Sequence, residues 1–191
     1  MQDLMIDLET LGTNTDAPII SIGAAWFDIP SRQIGNTFYA VLDVAEQMDS
    51  RKRFADASTI KWWMSQSNAA KNVFKDGAKD SSEILTMFYN WVMTNAGAGK
   101  NSKQTRKCMP WGNGAGFDIT LMESIFKSYG VECPWMFYNI MDLRTYRRFV
   151  GNGAKVEKLG TDHNALDDSI SQIKYIFDCE DAKDLQPAKV E

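Results

Sequence analysis

Asp7 and Glu9 stand two residues apart in a short apolar run from Leu4 to Leu8 near the N-terminus. Residues at that spacing on a strand point to the same face. Two carboxylates so placed repel, and each raises the pKa of the other unless a cation lies between them. At a solvated strand end such a pair is unremarkable. Here Ile6 and Leu8 mark a central strand, where two acids call for a counterion.

A third acid follows a glycine-rich turn. In Trp111-Gly112-Asn113-Gly114-Ala115-Gly116-Phe117-Asp118, three glycines in five residues let the backbone turn tightly between a strand and a helix. Asp118 then falls in the first helical turn, where a negative charge also suits the positive end of the helix. The last element is Thr161-Asp162-His163-Asn164-Ala165-Leu166-Asp167-Asp168, and His163 is the sole histidine of the chain. With a helix beginning near Asn164, His163 projects from the preceding loop and Asp168 from the helix, and both can reach one cleft. Asp167 points ~100° away from Asp168, toward the surface or the edge of the cluster.

Together Asp7, Glu9, Asp118 and Asp168 offer oxygen ligands for two hard divalent cations, Mg²⁺ or Mn²⁺ rather than zinc. Two such ions ~3.5–4 Å apart stabilise the attacking and leaving oxygens of an in-line phosphoryl displacement. A water nucleophile needs a base near neutral pH, and histidine suits that task.

The elements that must position these groups are legible as hydrophobic patterns. Leu4–Leu8, Ile19–Phe27 and Gln33–Leu42 read as three strands of an antiparallel meander, with a turn-rich loop at Leu11–Pro18 and a turn at Asp28. Helices are expected over Ala57–Gln66, Ser81–Asn95, Phe117–Tyr129 (ended by Gly130), Leu143–Val150 and Asp168–Phe177. Short strands are expected at Cys108–Trp111 and Asn139–Met141, and Asp142 reads as an N-cap. Ala96–Lys107 is polar, glycine-rich and basic, a loop able to fold over a bound strand. This pattern gives an α/β single domain over residues 1–180 and a C-terminal tail at 181–191.

Composition narrows the classes. A chain of 191 residues with 44% hydrophobic and 24% charged content can bury a sizeable core and is not a disordered polymer. The net charge of −4 argues against binding nucleic acid through a simple basic patch. Three scattered cysteines, with no C-x-x-C spacing, predict neither a disulfide framework nor a zinc site. No signal peptide and no membrane span are expected, so the chain reads as cytoplasmic.

The motifs resemble those of a known group. Ile6-Asp7-Leu8-Glu9-Thr10-Leu11-Gly12 resembles the D-x-E-T-x-G motif of the DEDD (DnaQ-like) 3′–5′ exonuclease superfamily. Asn113-Gly114-Ala115-Gly116-Phe117-Asp118 resembles its second motif. His163-Asn164-Ala165-Leu166-Asp167-Asp168 resembles the third, H-x-A-x-x-D, of the histidine subtype. Leu8-Glu9-Thr10-Leu11-Gly12-Thr13, Ala17–Ala24 and Thr59-Ile60-Lys61-Trp62-Trp63 are similar to the phage-type exonuclease and ribonuclease T-like branch.

The resemblance implies a ribonuclease H-like α/β fold, a mixed five-stranded sheet flanked by helices. It implies Asp7, Glu9, Asp118 and Asp168 as ligands of two Mg²⁺ or Mn²⁺ ions, and His163 as general base. The implied reaction is hydrolysis of single-stranded nucleic acid from its 3′ end to nucleoside 5′-monophosphates. DNA is slightly preferred on the phage-like resemblance. The alternatives are an exoribonuclease, a non-catalytic nucleic-acid-binding module, or a phosphatase for small substrates.

Stacking side chains hold bases without reading them. Thr10, Leu11 and Phe117 adjoin the acids, and Leu11 is placed to wedge against a terminal base. Trp62 and Trp63 are ~100° apart on a helix: one is core and the other lines the groove, or both are core. Arg144 and Arg148 share a helix face and can track phosphates. The run Arg51-Lys52-Arg53 reads as solvated surface charge. The apolar positions Ile84–Val92 supply a core or a homodimer interface.

Overall fold

The computed structural model describes residues 2–75, 77–96, 108–150, 160 and 163–184. The expected loop over Ala96–Lys107 lies, beyond Ala96, outside the described residues, as does the chain after 184. Five strands form one mixed sheet: β1 (Asp3–Thr10), β2 (Ile19–Asp28), β3 (Gln33–Val41), β4 (Met109–Gly112) and β5 (Met141–Asp142). Their order is β3-β2-β1-β4-β5. The first three pair antiparallel, as the meander predicts, while β4 runs parallel to β1 and β5 parallel to β4. The carboxyl ends of β1, β4 and β5 therefore open at one edge, where ligands of open α/β sheets gather.

Alternation along β1 divides the core. Leu4, Ile6 and Leu8 join β2 residues Ala24 and Trp26, and the apolar faces of α3 (Ser81–Asn95) and α4 (Asp118–Tyr129). Met5 faces the other side, with Ala25, Phe27, Trp111 and residues of α5 (Leu143–Val150) and α6 (Ala165–Asp184). Asp7 and Glu9 continue that second row toward α6.

Gly23 pairs with Asp7 across β1 and β2. A Cβ built there would lie 2.1 Å from the Ala165 carbonyl carbon and 2.2 Å from the Leu166 nitrogen. Only glycine lets the first turn of α6 rest on the sheet, and Ser169 Oγ then donates to the Gly23 carbonyl at 2.9 Å. Gly23→Ala forces backbone against backbone and should cost ~1–3 kcal/mol. It should lower activity further than stability alone requires, because α6 carries Asp168. A melting curve and a rate matching the parent would refute this docking role.

Four features depart from the sequence expectations. A helix, α1 (Val44–Arg51), precedes α2 (Ala57–Ser65). Its signal was an Asp43-x-x-Glu46 cap, and Asp43 Oδ1 does accept from the Ala45 and Glu46 amides. Residues Phe137–Asn139 form a 3₁₀ turn, so the last strand is Met141–Asp142 rather than Asn139–Met141. Helix α6 starts at Ala165, capped by Asn164, and runs through Asp184, so residues 181–184 are helical and not tail. Arg53 is not surface charge: it is 3% exposed and donates to the Ala17 and Thr15 carbonyls, tying down the loop after β1.

Candidate active site

The turn leaving β1 is fixed from both sides. Thr10 Oγ1 donates to the Gly12 carbonyl at 2.7 Å, and the Asp56 amide donates to the Leu11 carbonyl at 2.7 Å. Trp63 Nε1 donates to the Thr10 carbonyl at 2.9 Å, which holds α2 against the end of β1.

The glycine loop is fixed from the β5 side. Asp142 caps α5 through the Thr145 amide, and its second oxygen accepts from the Ala115 amide at 2.7 Å. The Arg144 amide donates to the Asn113 carbonyl, and a Cβ added at Gly114 would lie 3.0 Å from Nη1 of the Arg144 guanidinium. Asp118 is buried at the start of α4, beside Gly112.

The third motif arrives through a left-handed residue. His163 has φ 63°, which turns the chain just before Asn164 caps α6. Its ring meets Trp62 edge to face at 4.8 Å between centroids, and Trp63 at 6.1 Å. Ligand atoms of Glu9, His163 and Asp168 lie within 4.8 Å of one another.

Electrostatics joins Asp7 and Asp118 to this group. Burial pushes the Asp7 carboxyl well above the usual range, and the Asp118, Glu9 and Asp168 carboxylates push it the same way. Burial also lifts Asp118, to about 7, against the pull of the Gly114 amide and the Arg144 guanidinium. The five residues singled out by the sequence therefore come from three distant segments to one place.

Such a cluster fits a hard cation. Its donors are carboxylate oxygens with one imidazole, and ionised carboxylates this close and this buried repel without positive charge between them. The metal-free protein carries that cost. An acid whose pKa the fold raises stabilises the fold fully below its ordinary pKa and loses that contribution as pH rises through the shifted value. With chelator present, the melting temperature should fall between about pH 4 and about pH 7. Added Mg²⁺ should restore it at the upper end. A melting temperature indifferent to Mg²⁺ there would argue against a cation site.

A cavity of about 370 Å³ adjoins the acids, lined by Leu8, Glu9, Thr10, Gly12, Thr13, Ser58, Thr59, Trp62 and Phe117. It combines two aromatic faces with four hydroxyls. Trp62 is 42% exposed, whereas Trp63 is 3% exposed and belongs to the core with Ile20, Val41, Ala70 and Val73. The expectation of a substrate contact at Trp63 is thereby corrected, since its indole nitrogen is spent on Thr10. Leu11 packs against that same core cluster rather than lining the cavity. Arg144 and Arg148 are exposed on α5, and the Arg144 guanidinium acts on Asp118.

Residues 2–179 match the model of the 3′-5′ exoribonuclease Rv2179c-like domain. The chain belongs to that family. An exodeoxyribonuclease of Enterobacteria phage T4 is 28% identical over 166 residues, covering 76% of this chain and 70% of the phage protein. Among solved structures, E. coli exonuclease I in a complex with single-stranded DNA aligns with a TM-score of 0.66 and 12% identity over 96% of this chain. The chain spans 41% of the length of that exonuclease. The nuclease domain of 3′hExo, a DEDDh family member bound to rAMP, aligns at 0.60 and 14% identity, covering 96% of this chain and 94% of that domain.

The fold is thus ribonuclease H-like, and the family is one of DEDD 3′–5′ exonucleases. Among the described residues, no helix is long and apolar enough to cross a membrane.

Two contributors to the site escaped the sequence reading. Gln172 donates to Asp7, and Asn164 caps α6 beside His163. Gln172 had a signal, four residues past Asp168 on the same helix face.

Proposed function

We propose that the protein hydrolyses single-stranded nucleic acid from its 3′ end, releasing nucleoside 5′-monophosphates. One observation carries the reading: carboxylates from three distant segments meet the sole histidine beside an aromatic-walled cavity sized for a nucleotide. Asp7, Glu9, Asp118 and Asp168 would hold two Mg²⁺ or Mn²⁺ ions. Bound there, the ions supply charge stabilisation at the phosphate and lower the pKa of a water.

The chain's own residues do the rest. His163 accepts the proton of the water as its oxygen bonds to phosphorus and the bond from phosphorus to the penultimate 3′ oxygen breaks. The terminal nucleotide leaves with its 5′-phosphate, and the shortened strand keeps a 3′-hydroxyl. Trp62 and Phe117 hold the terminal base, and the hydroxyls of Thr10, Ser58 and Thr59 face its sugar. Arg144 and Arg148 track phosphates farther along.

A 5′-labelled oligonucleotide with Mg²⁺ should give a ladder shortening from the 3′ end. Bound but intact oligomer would support a binding module, and release of phosphate alone a phosphatase. The exoribonuclease reading has the family description in its favour, and the DNA reading has the phage relative. Rates on matched DNA and RNA strands decide between them.

Trp62→Ala should raise KM roughly tenfold, since stacking on an aromatic contributes roughly 1–3 kcal/mol per base. It should also lower kcat, because Trp62 touches the His163 ring, and Trp62→Phe should recover much of both. Unchanged steady-state constants in Trp62→Ala would remove this residue from the site.

A further inference from the structure

Helix α6 brings a second polar side chain to the carboxylate cluster. Gln172 follows Asp168 by four residues, so both project from one helix face. Gln172 Nε2 lies 2.7 Å from Asp7 Oδ1. The amide NH₂ group donates to that carboxylate oxygen, so Gln172 Oε1 faces away from it.

A structural glutamine uses both ends, as Gln47 does on Ile19: it accepts from the amide at 2.9 Å and donates to the carbonyl at 2.8 Å. Gln172 differs. Its Oε1 is buried and has no hydrogen-bond partner among the described residues. The side chain accepts an unpaired buried oxygen in order to place its donor on Asp7, which points to Asp7 as its purpose.

We propose that Gln172 is a positioning residue of the nuclease, whose amide orients the Asp7 carboxylate to receive a divalent cation. The proposal rests on the reading of the four carboxylates as cation ligands. The test compares the full chain with Gln172→Ala and Gln172→Met, the second keeping the side-chain volume should the first fold poorly. Calorimetry measures Mn²⁺ binding to the metal-free proteins, melting curves report the metal-free fold, and rates are taken across Mn²⁺ concentrations.

Outer-shell partners of ligands typically contribute ~10–100-fold in metal affinity. Both variants should bind Mn²⁺ more weakly by about that factor. They should need correspondingly more Mn²⁺ for half-maximal rate and approach the parent kcat at saturation, with metal-free melting little changed. Parent-like Mn²⁺ affinity, with or without a lowered melting temperature, would overturn the proposal and leave Gln172 a packing residue. A parent protein that cleaves but binds no Mn²⁺ would instead overturn the cation-site reading beneath it.

Discussion

Asp7→Ala should abolish exonuclease turnover and Mg²⁺ binding together. Asp7 interacts with all three other carboxylates, Asp118, Glu9 and Asp168. Removing it would take away one of the four carboxylates proposed to hold the cations. The same change should leave the metal-free fold intact or more stable near neutral pH. Burial and three neighbouring carboxylates all disfavour the charged form of Asp7, so deleting this carboxyl relieves a cost that outweighs the one hydrogen bond it accepts from Gln172. That combination separates a lost site from a lost fold, because a misfolded variant would melt lower. Calorimetric Mg²⁺ titration, melting with chelator and an oligonucleotide assay give the three readings. Activity retained by Asp7→Ala without added metal would defeat the metal-site assignment.

His163→Ala should depress kcat by ~10²–10⁴-fold, the range for removing a positioned general base. KM for the oligonucleotide should change far less, since the proposed base and phosphate contacts lie on Trp62, Phe117 and the α5 arginines. The Mg²⁺ affinity distinguishes two roles. Glu9, His163 and Asp168 are close enough to share an ion. If the variant keeps the parent Mg²⁺ affinity while losing rate, the imidazole handles the proton. If affinity falls with the rate, His163 is a ligand and the base assignment fails.

The early strands and the Ser81–Asn95 helix could be read from local pattern alone, because each buries one face and the apolar residues repeat at the strand or helix period. The acids were legible for a related reason. Two carboxylates in an apolar strand, and acids beside a glycine turn and a lone histidine, are costly unless they serve something. Elements with weaker local signals were misjudged at their ends. The two-residue β5 has too short a pattern to distinguish from the 3₁₀ turn before it. Helix α1 was hidden by a polar sequence whose docking depends on one buried residue, Gln47, bonding to Ile19 from 28 positions away.

Long-range partners decided the remaining assignments. Whether Trp62 or Trp63 faces the cavity depends on which indole reaches the Thr10 carbonyl, and Arg53 is buried because the loop carbonyls of Thr15 and Ala17 receive it. Gln172 has meaning only once α6 lies across β1.

The sequence by itself determined which side chains can do chemistry here, because residue type and spacing along one strand or helix fix charge, reach and face. Only the tertiary structure decided their meeting. Asp7 acquires Asp118 because β4 lies parallel beside β1, and acquires Asp168 because Gly23 lets α6 touch the sheet. Those contacts join residues more than a hundred positions apart, and no local periodicity encodes a distance across the fold.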